Sequence, residues 1–409
     1  MPTPLSRLPH VECQRRLGQA LVLLWFLNTM GFGCPSALAN RTLVPLPIFT
    51  TDPNERETYG ALLAILDEQA GAVRSLLVPQ VTWNPLLGTG GTVYYRHLLT
   101  ADESYSFFGS HSTRNQANYE VNYANFRLAQ QRYLLDGKLE YNNDRTARFF
   151  GLGAASREQA ETNYTLREAA GRFTLGRRVL PALVAALTER VRYVTIGRGV
   201  ETALPFLRDV FRGVPGEEGA LVWAHRFALT YDTRNARETP THGTFGQIFI
   251  EAANRALGSH TSFVRYGLEG RLVWPVVAER LITVTRGLFE WVEGQALPFF
   301  ELSALGGETT LRGFGQQRFL DRGRILFNVE ERLRLFTVTY NDVRTAFELA
   351  LFVEAGRVFH TVPDLSFRHV QTVCGVGVRL VVFSQLVAKI DVGFGSEGVA
   401  VFSGLDYPF

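Results

Sequence analysis

Three ionisable residues in the last quarter of the chain have the types and spacing to act together. Arg312 lies in the glycine-rich stretch LGGETTLRGF (305–314), and Glu330 and Glu354 lie in the two segments that follow it. A guanidinium presents five donors in a rigid fork and pairs with carboxylates better than an ammonium does. The chemistry on offer is ion pairing rather than bond making. Gly306, Gly307, Gly313 and Gly315 make the stretch pliable, so it could carry Arg312 inward to bridge the two acids. A partly buried carboxylate without a partner is costly, and such a bridge would therefore fix the loop. The alternative leaves Arg312 on an exposed loop and both glutamates in water.

Catalytic groupings are absent from the sequence. The eight His are scattered, without His-x-x-x-His or a Cys/His cluster of metal-binding spacing. GTGG (88–91) and GLGAAS (151–156) lack the Lys-Ser or Lys-Thr of a phosphate loop, and there is no Gly-x-Ser-x-Gly elbow. No metal and no cofactor is expected. A lipase assembled from Ser, His and a carboxylate on separate strands is the enzymatic alternative, and the sequence favours a protein that is not an enzyme.

The elements that must position Arg312 and its acids read as strands. In SFVRYGLEGRLVW, Val264, Tyr266, Leu268 and Leu272 share one face, opposite Arg265, Glu269 and Arg271. In FELALFVEAG, Phe347, Leu349, Leu351 and Val353 oppose Glu348 and Glu354. Cys374, Val376, Val378, Leu380 and Val382 oppose Gly375, Gly377 and Arg379, and Ile390, Val392 and Phe394 oppose Lys389 and Asp391. Around the first acid, Ile325, Phe327, Val329, Leu333 and Leu335 fall opposite Glu330 and Arg332. A secreted sandwich alternates too. Segments of about ten residues with a polar face rich in Gly and charge fit a transmembrane β-barrel better, with apolar residues toward lipid and polar ones toward the lumen. Glu330 and Glu354 then point into one confined interior.

The N-terminus agrees with export. Arg15 and Arg16 precede the apolar run LGQALVLLWFLNTMGFG (17–33), and Ala37-Leu38-Ala39 gives a small-x-small cleavage pattern. Residues 1–39 read as a cleaved signal peptide with the mature start at Asn40; an N-terminal membrane anchor is the alternative, and a lipoprotein through Cys34 is weaker. Cys13 and Cys34 would leave with the signal, and Cys374 alone cannot form an internal disulfide. The formal charge of +3 is carried almost wholly by Arg, since Lys138 and Lys389 are the only lysines. No basic run marks a nucleic-acid face, and nucleic acid is not an expected partner.

Strand counting yields five segments after the glycine-rich loop, near 324–336, 345–358, 370–383, 386–395 and 398–408. Twelve more lie between Tyr59 and Val292. Bacterial barrels have even strand numbers, so seventeen candidates reduce to an expected sixteen, and 88–160 can be divided in several ways. The domain reading is a short periplasmic segment over 40–58 followed by an all-β, antiparallel transmembrane barrel over 59–409.

Four motifs carry a resemblance. LTYDTRNARETPTHGTF (229–245), LGGETTLRGF, NVEERLRLF and LFVEAGRVF, in this order and with five strands after the loop, resemble the bacterial surface antigen barrel of the BamA/TamA superfamily, which includes outer-membrane assembly factors and two-partner secretion transporters. The likeness is clearest over 220–409. It implies that the loop is the family's sixth, with Arg312, Gly313 and Phe314 held inside the lumen against Glu330 and Glu354. The family usually has Asp where this chain has Glu354. The resemblance also implies a strand–turn–strand built on Tyr231, Asp232, Arg234 and Gly243, and an assembly signal ending in Phe409. Relatives carry POTRA modules before the barrel, and residues 40–58 are too few for one. Implied partners are outer-membrane lipid, client outer-membrane or secreted proteins, and the barrel assembly machinery during biogenesis. The implied function is insertion or translocation of a client through a lateral seam in the outer membrane. A passive or plugged pore, or a structural surface protein, is the alternative.

Overall fold

The computed structural model describes residues 41–409, apart from 70–71, 101, 279, 341–342 and 383–385. The signal-peptide segment and the start at Asn40 lie outside the described residues. Eighteen antiparallel strands form one closed sheet: β1 (Arg41–Asp52), β2 (Arg56–Gln69), β3 (Ala72–Asn84), β4 (Gly88–Thr100), β5 (Glu103–Ser112), β6 (Ala117–Arg127), β7 (Tyr133–Phe149), β8 (Thr162–Leu180), β9 (Leu183–Arg198), β10 (Ala220–Asp232), β11 (Gly243–Ala253), β12 (Phe263–Val277), β13 (Leu281–Gly294), β16 (Gly323–Tyr340), β17 (Val343–Phe359), β18 (Gln371–Val382), β19 (Leu386–Gly395) and β20 (Gly398–Leu405). A small hairpin of β14 (Ser303–Leu305) and β15 (Phe319–Asp321) lies within the long connection after β13.

The strand number is eighteen rather than sixteen. β2 to β13 account for the twelve segments expected before the long loop, so none of them had to be discarded. The additional strand is β1, in the stretch read from the sequence as a segment preceding the barrel. Pro45 and Pro47 obscured it, because proline cannot donate to a ladder and argues against a strand paired on both sides. The ladder from β1 to β2 nevertheless runs unbroken through both, from Arg41↔Asp67 to Asp52↔Arg56. The two missing N–H groups therefore face the other edge of β1. With eighteen strands, the long connection over 295–322 is the seventh on its rim and not the sixth.

Alternation sorts the side chains as a barrel in lipid requires. Ile325, Phe327, Leu351, Val353, Leu268 and Ile248 face outward and are exposed, while Glu330, Arg332, Glu354, Arg379 and Asp391 face inward and are buried. Closed strand pairing satisfies the backbone groups that lipid would leave without partners. Among the described residues no helix is long and apolar enough to cross a membrane. One junction departs from this closure. β1 and β20 share a single residue pair, Thr51↔Val401, against eight for β19 with β20 and twelve for β1 with β2.

Candidate functional site

The inward-folded connection 295–322 crosses the lumen and, among its contacts with the wall, enters two buried ion clusters. Near its start, Glu301 is buried among arginines from the wall: Arg190 donates to both carboxylate oxygens (3.0 Å each), Arg192 to Oε1 (3.1 Å) and Arg265 to Oε2 (2.9 Å). Glu251 on β11 ties the same cluster together, accepting from Arg190, Arg226 and Arg265 at 2.9–3.1 Å. Burial alone would raise the pKa of Glu301, but Arg190, Arg192 and Arg265 hold it below the usual carboxylate range. Phe299, beside it, meets Phe149 and Tyr164 edge-on. This ion cluster was not expected from the sequence, although the inward phase of Arg265 on β12 was a signal for part of it.

The second cluster surrounds Arg312. Its backbone N–H and Nε donate to the two oxygens of Glu354 (2.6 and 2.7 Å), and Nη1 donates to Glu330 Oε2 (2.7 Å) and Asp391 Oδ2 (3.1 Å). Its guanidinium carbon lies 3.5 Å from the centroid of the Phe352 ring. Glu330 also accepts from Arg332 Nε (2.8 Å), and Arg379 Nη1 reaches Asp391 Oδ1 at 2.6 Å. Asn328 Nδ2 spans from Glu354 Oε1 (3.1 Å) to the carbonyl of Thr310 (2.9 Å). Three guanidinium groups thus meet three carboxylates, and each of the six is at most 2% exposed. Burial opposes the charge on Arg312, yet Glu330, Glu354 and Asp391 outweigh it and raise its pKa above the ordinary value.

Strand register explains why these groups meet. Glu330 pairs in register with Phe352 and Glu354 with Asn328, so the two acids sit diagonally across β16 and β17 with room for one guanidinium between them. Asp391 comes from β19, two strands on. Glu354, where the resemblance leads one to expect Asp, offers one carboxylate oxygen to the backbone N–H of Arg312 and the other to its side chain. Asp391, Arg379, Arg332 and Asn328 are partners that the sequence reading left out of the cluster, although alternation had already put Asp391 and Arg332 in the lumen.

Glycines set the close approach of the loop to the wall. A Cβ on Gly313 would lie 2.7 Å from the backbone nitrogen of Gly395, and one on Gly393 would strike the Arg312 carbonyl. Phe314 is buried and meets Phe319 edge-on, with Leu305, Leu311 and Phe352 in the same apolar cluster. Beyond the tip, Asn54 Nδ2 in the β1–β2 hairpin donates to the carbonyl of Gln316 (3.0 Å).

The other residues singled out from the sequence lie elsewhere. Asp232 accepts from the backbone N–H of Arg234 (3.0 Å) and grips its side chain at 3.0 and 2.9 Å, closing the turn after β10 on itself. Gly243 ends that turn at φ +115°, where a Cβ would collide with the Thr233 carbonyl. Tyr231 points outward. Phe409 lies beyond the end of β20 and packs inside the lumen on Val273, Ile282 and Val284.

The Omp85 superfamily domain matches residues 98–395, which is most of the chain. The chain belongs to the Omp85 superfamily. It is an outer-membrane β-barrel, and the resemblance drawn from Arg312-Gly313-Phe314 and its flanking strands holds at this level. Its fold is similar to that of BamA from Haemophilus ducreyi lacking POTRA domains 1-3, at 16% identity and a TM-score of 0.52, covering 95% of this chain and 77% of that one. CdiB from Escherichia coli aligns at 12% identity over 90% of this chain, with a TM-score of 0.49. CdiB from Acinetobacter baumannii aligns at 10% identity over 91%, with a TM-score of 0.42. The Omp85 chain spans 63% and 60% of these two CdiB chains. No curated protein matches it.

Proposed function

We propose that this barrel inserts or translocates client polypeptides through a lateral seam between β1 and β20, with loop 295–322 held in the lumen by the Arg312 cluster while it does so. The observation that carries this reading is the single residue pair, Thr51↔Val401, joining the first and last strands. Elsewhere each wall strand is paired along most of its length. Unpaired backbone groups at bilayer depth are expensive, and an unpaired strand edge is a template for another strand. In the register of Thr51↔Val401, Pro47 falls opposite Leu405 at the end of β20 and has no N–H to donate across the junction. A strand from a client would find unsatisfied acceptors there and would lose them again on release. The cleaved signal over 1–39 and the reading of Phe409 as a recognition signal in the unfolded chain belong to the same proposal.

Photo-crosslinking tests it. Reactive residues replacing Phe49 on β1 and Ser403 on β20, both on the outer face by alternation, should trap polypeptides in intact cells. The same residues replacing Phe173 and Leu187, which are outward on β8 and β9, should trap far less. Equal trapping at both walls, or none at the seam, returns the barrel to a plugged pore or a structural surface protein.

A further inference from the structure

The chain does not leave the barrel where β20 ends. The N–H of Asp406 donates to the Val387 carbonyl (2.8 Å), and the next three residues turn under the lumen. Tyr407 Oη donates to Glu348 Oε2 on β17 at 2.7 Å, and the Arg332 guanidinium carbon lies 3.6 Å from the ring centroid. Ala346, Val381 and Val387 form the cluster against which that ring packs. Pro408 is buried. Phe409 then reaches the wall at β12 and β13, where Val273, Ile282 and Val284 pack against it and the guanidinium carbons of Arg286 and Arg312 stand 5.7 and 5.8 Å from its ring.

These contacts have the form of a peptide subsite rather than of a fraying end. One aromatic ring is read by a carboxylate at its hydroxyl and a cation at its face, both directional. A second ring, two residues on, enters an apolar cleft. The proline between them fixes the backbone and lowers the ordering cost of binding. None of the groups that receive Tyr407 and Phe409 belongs to the loop except Arg312, so the subsite is built into the wall of the barrel.

We infer that the lumen floor is a binding site for an extended aromatic–Pro–aromatic peptide, and that Tyr407-Pro408-Phe409 is its resident, tethered occupant. Tethering on a short chain gives an effective concentration on the order of millimolar, so a free segment of the same chemistry binds only when the resident one has left. This holds for a passive pore as well as for a translocating barrel, and it does not rest on the seam.

The test uses a fluorescently labelled Leu-Asp-Tyr-Pro-Phe peptide and purified barrel, full length or shortened after Leu405, followed by anisotropy. The shortened barrel should bind at least tenfold more tightly than the full-length one, and Leu-Asp-Ala-Pro-Ala should bind neither. Ile282→Glu in the shortened barrel should abolish binding. Equal binding to both lengths, or none to either, overturns the inference. Heat-modifiable migration shows whether the shortened chain has folded; if it has not, the full-length Tyr407→Ala/Phe409→Ala variant takes its place with the same expectation. Independently, Val284→Cys with Phe409→Cys in a Cys374→Ser background should be joined by a short bis-maleimide. Absence of that crosslink in the folded barrel also overturns it. Client trapping at β1 and β20 is read out separately, so either idea can fail without the other.

Discussion

Replacing Arg312 by Ala removes three charge-assisted hydrogen bonds, to Glu354 Oε1, Glu330 Oε2 and Asp391 Oδ2, and leaves the backbone bond to Glu354 Oε2 in place. It also leaves Glu330 and Asp391 with Arg332 and Arg379 as their buried cations, and leaves Glu354 with only the neutral donors of Asn328 and the backbone. Breaking a buried ion pair by removing one partner costs about 3–5 kcal/mol. At about 1.4 kcal/mol per factor of ten, the open population of the loop should rise by roughly two to three and a half orders of magnitude. The barrel should remain folded, because its strand ladders do not pass through Arg312. Hydrogen exchange of the amides over 305–318 reads the opening directly, and added protease should cut between Gly313 and Arg324 in the variant only. Arg312→Lys should recover part of the protection, since an ammonium cannot fork between Glu330 and Glu354. Glu330→Gln or Glu354→Gln combined with Arg312→Ala should add little beyond the single change, as coupled partners do. If exchange and cleavage in Arg312→Ala matched the parent, Arg312 would not be what holds the loop.

Gly313→Ala should also loosen the loop, since its methyl group would stand 2.7 Å from the Gly395 nitrogen; exchange over 305–318 checks this, and an unchanged rate would mean that β19 yields. Pro47→Val restores a donor opposite Leu405 of β20 and should raise the unfolding temperature while reducing client trapping at Ser403. On the outer face, Val353→Arg should cost roughly 2–4 kcal/mol of barrel stability in a lipid-refolding titration if Val353 lies near the bilayer midplane, whereas Ala355→Ser should cost little. In the β1–β2 hairpin, burial and the neighbouring charges of Asp52 and Asp144 push Glu55 up to about 8. Its folded pKa exceeds the unfolded value, so its contribution to stability is complete below about pH 4.5 and is lost as pH rises through 8; Glu55→Gln should flatten the fall in unfolding temperature across that window.

Much of the barrel was legible because lipid and lumen impose a strict period of two. That period placed Glu330, Glu354, Lys389 and Asp391 inside and Leu351, Val353 and Ile390 outside without any knowledge of tertiary contacts. It failed at β1, where Pro45 and Pro47 look like breakers unless one knows that the far edge of the strand is scarcely paired. The pairing of Arg312 with Glu330 and Glu354 could be argued from charge alone. The arrival of Asp391 beside them depends on β19 lying two strands beyond β17, which no local pattern encodes. The Glu301 cluster gathers arginines from β9, β10 and β12, so it becomes visible only after the loop is folded across the lumen. Phe409 shows the opposite failure: the last residues continue the alternation of β20 on paper, but the backbone turns inward at Asp406.

The most direct test of the seam joins it. Thr51→Cys and Val401→Cys, in a Cys374→Ser background, place two thiols on the one residue pair that connects β1 and β20. With a photoreactive residue at Ser403, client polypeptides should be trapped while the thiols are free, and trapping should fall to background once a short bis-maleimide has bridged them. Undiminished trapping in the bridged barrel would contradict passage through the seam.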